Sequence, residues 1–194
     1  MKQVRILAFS GSNRQASFNK QLIRAAAAIG NGMEHVTVTP IDLKDYPLPM
    51  YDGDLEEAEG LPAKAMELKL LIKEHDAVLI SSPEYNAAPP ALLKNTIDWV
   101  SRPGGENDPG KVMFEKPVGL LSASPGGLGG IRGLTQLRAI LQNLTAMVIP
   151  AQFCLGAAHE AFQEDGSLKD DAARQAVGDV IRQLANVAAA EVPA

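Results

Sequence analysis

Four runs of consecutive apolar residues stand out along the chain, and a fifth stretch, 35–41, alternates apolar and polar positions. Runs without alternation are typical of strands that are buried on both faces, as in parallel sheets. We therefore expect five strands, of which at least four lie inside a parallel sheet. The four apolar runs are 4–9, 77–80, 118–121 and 147–149.

Apolar side chains at helical spacing fill the segments between and after these runs. Leu22, Ile23, Ala26 and Ile29 share one helix face. The same spacing recurs within 61–72, 92–100, 131–144 and 173–187. Strand and helix thus alternate along the chain, which predicts an α/β three-layer sandwich with right-handed crossovers.

No stretch resembles an interdomain linker, so we expect a single domain over residues 1–194. The composition of 44–60 and 101–116, rich in Pro, Asp, Glu or Gly, predicts loops in these two segments.

Composition and charge exclude several classes of protein. The single cysteine, Cys154, excludes a disulfide scaffold and a cysteine-rich metal site, and we expect no metal. No apolar run approaches the roughly 18 residues of a membrane helix, and the first run stops at Gly11 without a signal-peptide pattern. We therefore expect a cytoplasmic protein. A net charge of −5 gives no electrostatic footprint for nucleic acid.

The loop after the first strand, 10–19, is rich in groups that hold phosphate. It combines Arg14 with three serines and two asparagines at the start of a predicted helix, whose N-terminus attracts anions. The alternative is an ordinary turn in which Ser17 caps the helix. The loop matches neither the Walker motif nor the Gly-x-Gly-x-x-Gly dinucleotide fingerprint.

The loop after the third strand, 81–90, contains three prolines, which stiffen its backbone. Tyr85 offers a flat face, and Glu84 and Asn86 offer polar edges, so the loop suits a planar heterocycle. The alternative is that Tyr85 only packs on the surface.

The loop after the fourth strand, 122–130, has four glycines in a run of five residues, 126–130. Glycine lets a backbone approach a ligand closely, although flexibility alone is the alternative. In an open parallel sheet the ligand binds beyond the carboxyl ends of the strands, so all three loops should meet at one edge.

The segments 11–19, 83–86, 93–95 and 98–99, together with Pro90, resemble the NADPH-dependent FMN reductase family, with similarity from Val4 to about Gln152. The resemblance implies a flavodoxin-like fold with strand order 2-1-3-4-5 and FMN at the strand ends. It implies that the first loop binds the FMN phosphate, that the second loop borders the isoalloxazine ring, and that the third loop closes the other edge of that ring. The implied residues are Ser10, Ser12, Arg14, Ser17, Phe18 and Asn19, then Pro83, Glu84, Tyr85 and Asn86, then Ser124, Gly126 and Gly127.

The resemblance further implies an enzyme in which NAD(P)H reduces bound FMN by hydride transfer and then leaves. Quinones, free flavin, azo compounds or chromate-like acceptors would follow in a ping-pong cycle, and a homodimer or homotetramer is expected. We assign no catalytic acid or base, and whether Glu84 steers the nicotinamide or a subunit contact stays open, as does the role of Arg132. The main alternative is a flavodoxin-type electron carrier without enzyme activity. A phosphate-binding hydrolase is disfavoured because no Gly-x-Ser-x-Gly elbow is present.

Overall fold

The computed structural model describes residues 2–104 and 116–190. Its strands form one parallel five-stranded sheet in the order β2-β1-β3-β4-β5, which confirms the predicted fold class and strand order. The strands are β1 (Val4–Ser10), β2 (Val36–Asp42), β3 (Ala77–Ser81), β4 (Pro117–Ala123) and β5 (Met147–Leu155). The helices are α1 (Phe18–Asn31), α2 (Gly53–Glu59), α3 (Ala63–Glu74), α4 (Ala91–Val100), α5 (Ile131–Asn143) and α6 (Asp171–Ala190).

Helices cover both faces of the sheet, which explains why every strand except β2 contains a mainly apolar run. Ile6 and Ala8 of β1 lie in the core beneath α1 and α6. Leu7 and Phe9, the alternate residues of the same strand, lie in the core beneath α3, α4 and α5. Both sets are almost fully buried, as expected for a strand inside a three-layer sandwich.

Two elements differ from the sequence-based expectation. The predicted loop 44–60 contains α2, a short helix whose N-cap is Asp52. The fifth strand is longer than the apolar run 147–149, and its pairing with β4 shifts between Val118 and Leu120. Pro150 lies in that irregular part and has no N–H to donate to the ladder. Most of the predicted loop 101–116 lies outside the described residues.

None of the helices in the described residues is both long enough and apolar enough to cross a membrane.

Candidate functional site

The three loops predicted to carry the chemistry meet at the carboxyl edge of the sheet and line one groove, called here the edge groove. It is shallow, with a volume of about 70 Å³, so a larger ligand would stay partly exposed. The lining residues are Ser12, Arg14, Ser17, Phe18, Asn19, Pro83, Glu84, Tyr85, Ala123, Ser124 and Pro125. Ala123 and Pro125, which lie at the end of β4 and in the loop that follows it, were not predicted from the sequence.

The N-terminus of α1 forms the cationic end of the groove. Ser17 is the N-cap, and its hydroxyl accepts the N–H of Lys20. The N–H groups of Phe18 and Asn19 lie in the first turn, where a helix offers no acceptor of its own. Arg14 is exposed, and no acidic side chain in residues 2–104 or 116–190 pairs with it. This end of the groove therefore favours an anion.

Two residues expected at the phosphate site, Asn19 and Ser10, have side chains that are buried. The amide of Asn19 donates to the Ala123 carbonyl and accepts from Ala123 N–H and Ser81 Oγ, so it ties α1 to the sheet. The backbone N–H of Asn19, in the first turn of α1, stays open to an anion.

Ser10 is the second of these residues. It lies on the same face of β1 as Ile6 and Ala8, beneath α1, and lines a separate cavity of about 370 Å³ with Lys20 and Asp42. Its hydroxyl is buried and has no hydrogen-bond partner in the described part of the chain. Ser10 is therefore not among the residues that line the edge groove, and its role in holding a phosphate stays a prediction.

A strained tight turn carries Tyr85 to the mouth of the groove. Tyr85 and Ala88 exchange two backbone hydrogen bonds, and the residues between them, Asn86 and Ala87, have φ of 52° and 63°. Positive φ at both central positions is a type I′ turn, which asparagine tolerates and alanine does not favour. Tyr85 is 51% exposed. Backbone strain of this kind clusters at functional sites.

The carboxylate of Glu84 is held by α5. Oε1 accepts from Arg132 Nε at 2.8 Å, and Oε2 accepts from the backbone N–H of Gly133 at 3.0 Å. The side chain is only 8% exposed. Burial opposes ionisation, but the bonds from Gly133 and Arg132 outweigh it and lower the pKa of Glu84. Glu84 thus caps a helix N-terminus from another loop, a role that the sequence did not suggest.

The glycine-rich loop leaves backbone open beside the groove. Gly126 N–H donates to Ser124 Oγ, and both Gly126 and Gly127 are exposed. A Cβ added to Gly127 would meet no atom within 4 Å, so the fold itself does not require glycine there. Gly130 differs, because it has φ of 93° and an added Cβ would collide with Ser122 Oγ. The glycines nearest the groove are free for a ligand to approach.

Two further titratable side chains, those of His75 and Cys154, have surroundings that fit a role in the fold. His75 caps the end of α3, and its ring bonds the Leu71 carbonyl and Thr39 Oγ1. Cys154 is half-buried, and burial, with a contribution from Glu84, raises the pKa of its thiol. A protonated, half-buried thiol is a poor nucleophile.

Comparison with known proteins finds relatives over most of the chain. The family model for NADPH-dependent FMN reductase matches residues 4–160. The quinone reductase of Escherichia coli K12 is 36% identical over 148 residues, covering 76% of this chain and 74% of that protein. The NADPH:quinone oxidoreductase of Arabidopsis thaliana is 35% identical over 185 residues, covering 93% and 90%.

A solved structure agrees over nearly the full length. The flavoenzyme NAD(P)H:acceptor oxidoreductase FerB of Paracoccus denitrificans superposes with a TM-score of 0.82 and 26% identity, covering 97% of this chain and 98% of that one. These matches confirm the predicted oxidoreductase class and the predicted dependence on FMN and NAD(P)H. The chain belongs to the NADPH-dependent FMN reductase family.

Proposed function

We propose that the edge groove holds FMN with its phosphate at the N-terminus of α1, and that the chain passes two electrons from NAD(P)H to quinones and similar small acceptors. The observation that carries this proposal is that a cationic side chain and an aromatic side chain line the same groove. Arg14, without an acidic partner among the described residues, and Tyr85, with its aromatic ring, both line this groove.

The residues present fit such a cofactor. A phosphate monoester needs a cation and several donors, which Arg14, the first-turn N–H groups of α1 and the Ser12 hydroxyl offer. A flat ring needs a rigid loop and open backbone, which the turn at Tyr85–Ala88 and the Gly126–Gly127 segment offer. The proposed contacts are the backbone of Asn19 and the side chains or backbone of Ser17, Phe18, Pro83, Asn86 and Ser124, together with these groups.

Bound FMN supplies the two-electron chemistry, and the protein orients the ring and its two substrates. The shallow groove supports a cycle in which donor and acceptor use the same open ring face in turn, which gives ping-pong kinetics. The names of two relatives, a quinone reductase and an NADPH:quinone oxidoreductase, support quinones as acceptors for this chain. Free flavin, azo compounds and chromate-like acceptors would reach the same ring face.

We also propose a homodimer or homotetramer in the cytoplasm. Tyr85 and Leu128, which is 60% exposed, lie on loops at the groove, and exposed large apolar side chains there favour coverage by a second copy. The oligomer is testable by light scattering of the FMN-loaded protein.

The test is a steady-state assay of the purified chain loaded with FMN. NAD(P)H oxidation should depend on both the protein and a quinone, and double-reciprocal plots at several quinone concentrations should be parallel. Free FMN at the same concentration is the control. Oxidation no faster than this control would overturn the enzyme assignment and leave an electron carrier, and intersecting plots would overturn the ping-pong cycle.

A further inference from the structure

Three contacts join the start of α5 to the turn that carries Tyr85. Arg132 and Gly133 hold the carboxylate of Glu84 at 2.8 and 3.0 Å, and Gln136 Nε2 donates to the Ala87 carbonyl at 2.7 Å. We call these four residues the α5 clamp: Glu84, Arg132, Gly133 and Gln136. The clamp contacts this segment at two points, at Glu84 just before the turn and at Ala87 inside it.

The close approach of the two segments is built into the sequence. A Cβ added to Gly133 would lie 3.2 Å from Glu84 Cβ, a distance that leaves almost no room for a larger residue. Glycine at this position therefore lets the Glu84 carboxylate reach the first turn of α5. There it accepts an N–H that has no acceptor within the helix.

The turn needs an external hold because its own conformation is unfavourable. Ala87 has φ of 63°, a left-handed conformation that is unfavourable for an L-residue with a Cβ. Such strain persists only where the surrounding structure over-determines the conformation. The Gln136 bond to Ala87 and the Glu84 bonds to α5 supply such contacts from outside the turn.

We infer that Glu84 is a positioning residue for the flavin ring: through the α5 clamp it fixes the backbone of the Tyr85 turn in the shape that receives the ring. This inference rests on the proposed FMN site. Glu84 acts through α5 and the turn, and its carboxylate has no part in the chemistry. Arg132 supports the same carboxylate, which assigns a role to both residues that the sequence left open.

The test compares Glu84→Gln, Glu84→Ala and Gln136→Ala with a matched control, Asp76→Asn. Asp76 comes directly before β3, and its side chain is 12% exposed. Its carboxylate accepts the backbone N–H of Arg5 at 2.8 Å and forms an ion pair with the guanidinium of the same residue at 3.7 Å. It lies at the opposite end of the sheet from the groove, because parallel strands share their direction. Affinity for FMN and for riboflavin is measured by fluorescence quenching, with the visible spectrum of each bound flavin.

Glu84→Ala and Gln136→Ala should weaken FMN and riboflavin equally, by about tenfold for Glu84→Ala, and shift the bound-flavin spectrum. Glu84→Gln should fall between Glu84→Ala and the unchanged chain, since its amide oxygen can still accept from Gly133 N–H. Asp76→Asn should leave both affinities and the spectrum unchanged, even where it lowers thermal stability.

Unchanged flavin affinity and spectrum in Glu84→Ala and Gln136→Ala would overturn the inference and leave the clamp as a purely structural contact. If Glu84→Ala does not fold, Gln136→Ala decides alone, because its side chain is exposed. Failure of the unchanged chain to bind FMN would instead overturn the proposed function, and the inference with it.

Discussion

Asn19 and Ala123, which are 104 residues apart, exchange two hydrogen bonds: Asn19 Nδ2 donates to the Ala123 carbonyl at 2.8 Å, and Ala123 N–H donates to Asn19 Oδ1 at 2.9 Å. Ser81 Oγ donates to the same Oδ1 at 2.8 Å. One buried amide thus joins the first turn of α1 to the ends of β3 and β4. The anion-binding end of the edge groove is thereby fixed relative to the two loops that face it.

Removing this amide should loosen both the fold and the groove. Asn19→Ala leaves the buried Ala123 groups and the Ser81 hydroxyl without partners, so we expect a loss of about 3 kcal/mol in the free energy of unfolding. FMN affinity should fall as well. Urea unfolding and an FMN titration measure the two effects.

The same helix provides the control. Asn31 makes an equivalent pair of bonds with Val38 at the far end of α1. Asn31→Ala should cost about 1–2 kcal/mol in unfolding free energy and leave FMN affinity unchanged. Equal effects of both variants on FMN would contradict a special role for Asn19 at the groove.

Arg14 should act on the phosphate alone. Because it has no acidic partner within the described residues, Arg14→Ala should leave the stability of the flavin-free protein unchanged. It should weaken FMN by about 1.5–3 kcal/mol, the value of a charged hydrogen bond, and leave riboflavin affinity as it was. Arg24→Ala, which changes an exposed arginine in the second turn of α1, is the control and should alter neither affinity. A loss of riboflavin affinity in Arg14→Ala would place Arg14 at the ring instead.

Gly127 should be needed by the ligand and not by the fold. An added Cβ meets no atom within 4 Å, so Gly127→Ala should be neutral or slightly stabilising in thermal unfolding. FMN affinity should fall, since the methyl group would occupy the space that the ring approaches. Gly53→Ala, where an added Cβ is equally free, should keep full FMN affinity. Normal FMN binding by Gly127→Ala would remove this loop from the site.

The ionisation of Glu84 should make the free energy of unfolding depend on pH in acidic solution. Burial opposes the charge, but Gly133 and Arg132 lower the pKa of Glu84 below its ordinary 4.5, so the ionised form stabilises the fold. This contribution is fully present above the ordinary pKa and is lost as the pH falls through the lower, folded-state pKa.

The measurement is the difference in unfolding free energy between the unchanged chain and Glu84→Gln as a function of pH. It should be constant above about pH 6 and shrink below about pH 4.5. A difference that grows as the solution is acidified would contradict the assigned direction of the pKa shift.

The sequence predicts where the site lies better than which atoms face it. Apolar runs such as 77–80 and 118–121 indicate buried parallel strands, and parallel strands bring their carboxyl ends to one edge, so the three loops could be placed together in advance. The direction of a side chain depends instead on packing between distant segments. Asn19 turns inward because Ala123 and Ser81 offer partners, and Ser10 lies beneath α1 because of its parity on β1. The capping of α5 by Glu84 and the left-handed φ of Ala87 depend in the same way on contacts that no local pattern contains.

The central claim is that the N-terminus of α1 and Arg14 hold the phosphate of FMN. Its most direct test is to measure the dissociation constants of FMN and riboflavin for the purified, flavin-free chain in the same buffer. The account predicts that FMN binds at least about tenfold more tightly than riboflavin, since only FMN carries the anion. Equal affinity for the two flavins, or no binding of FMN, would contradict it.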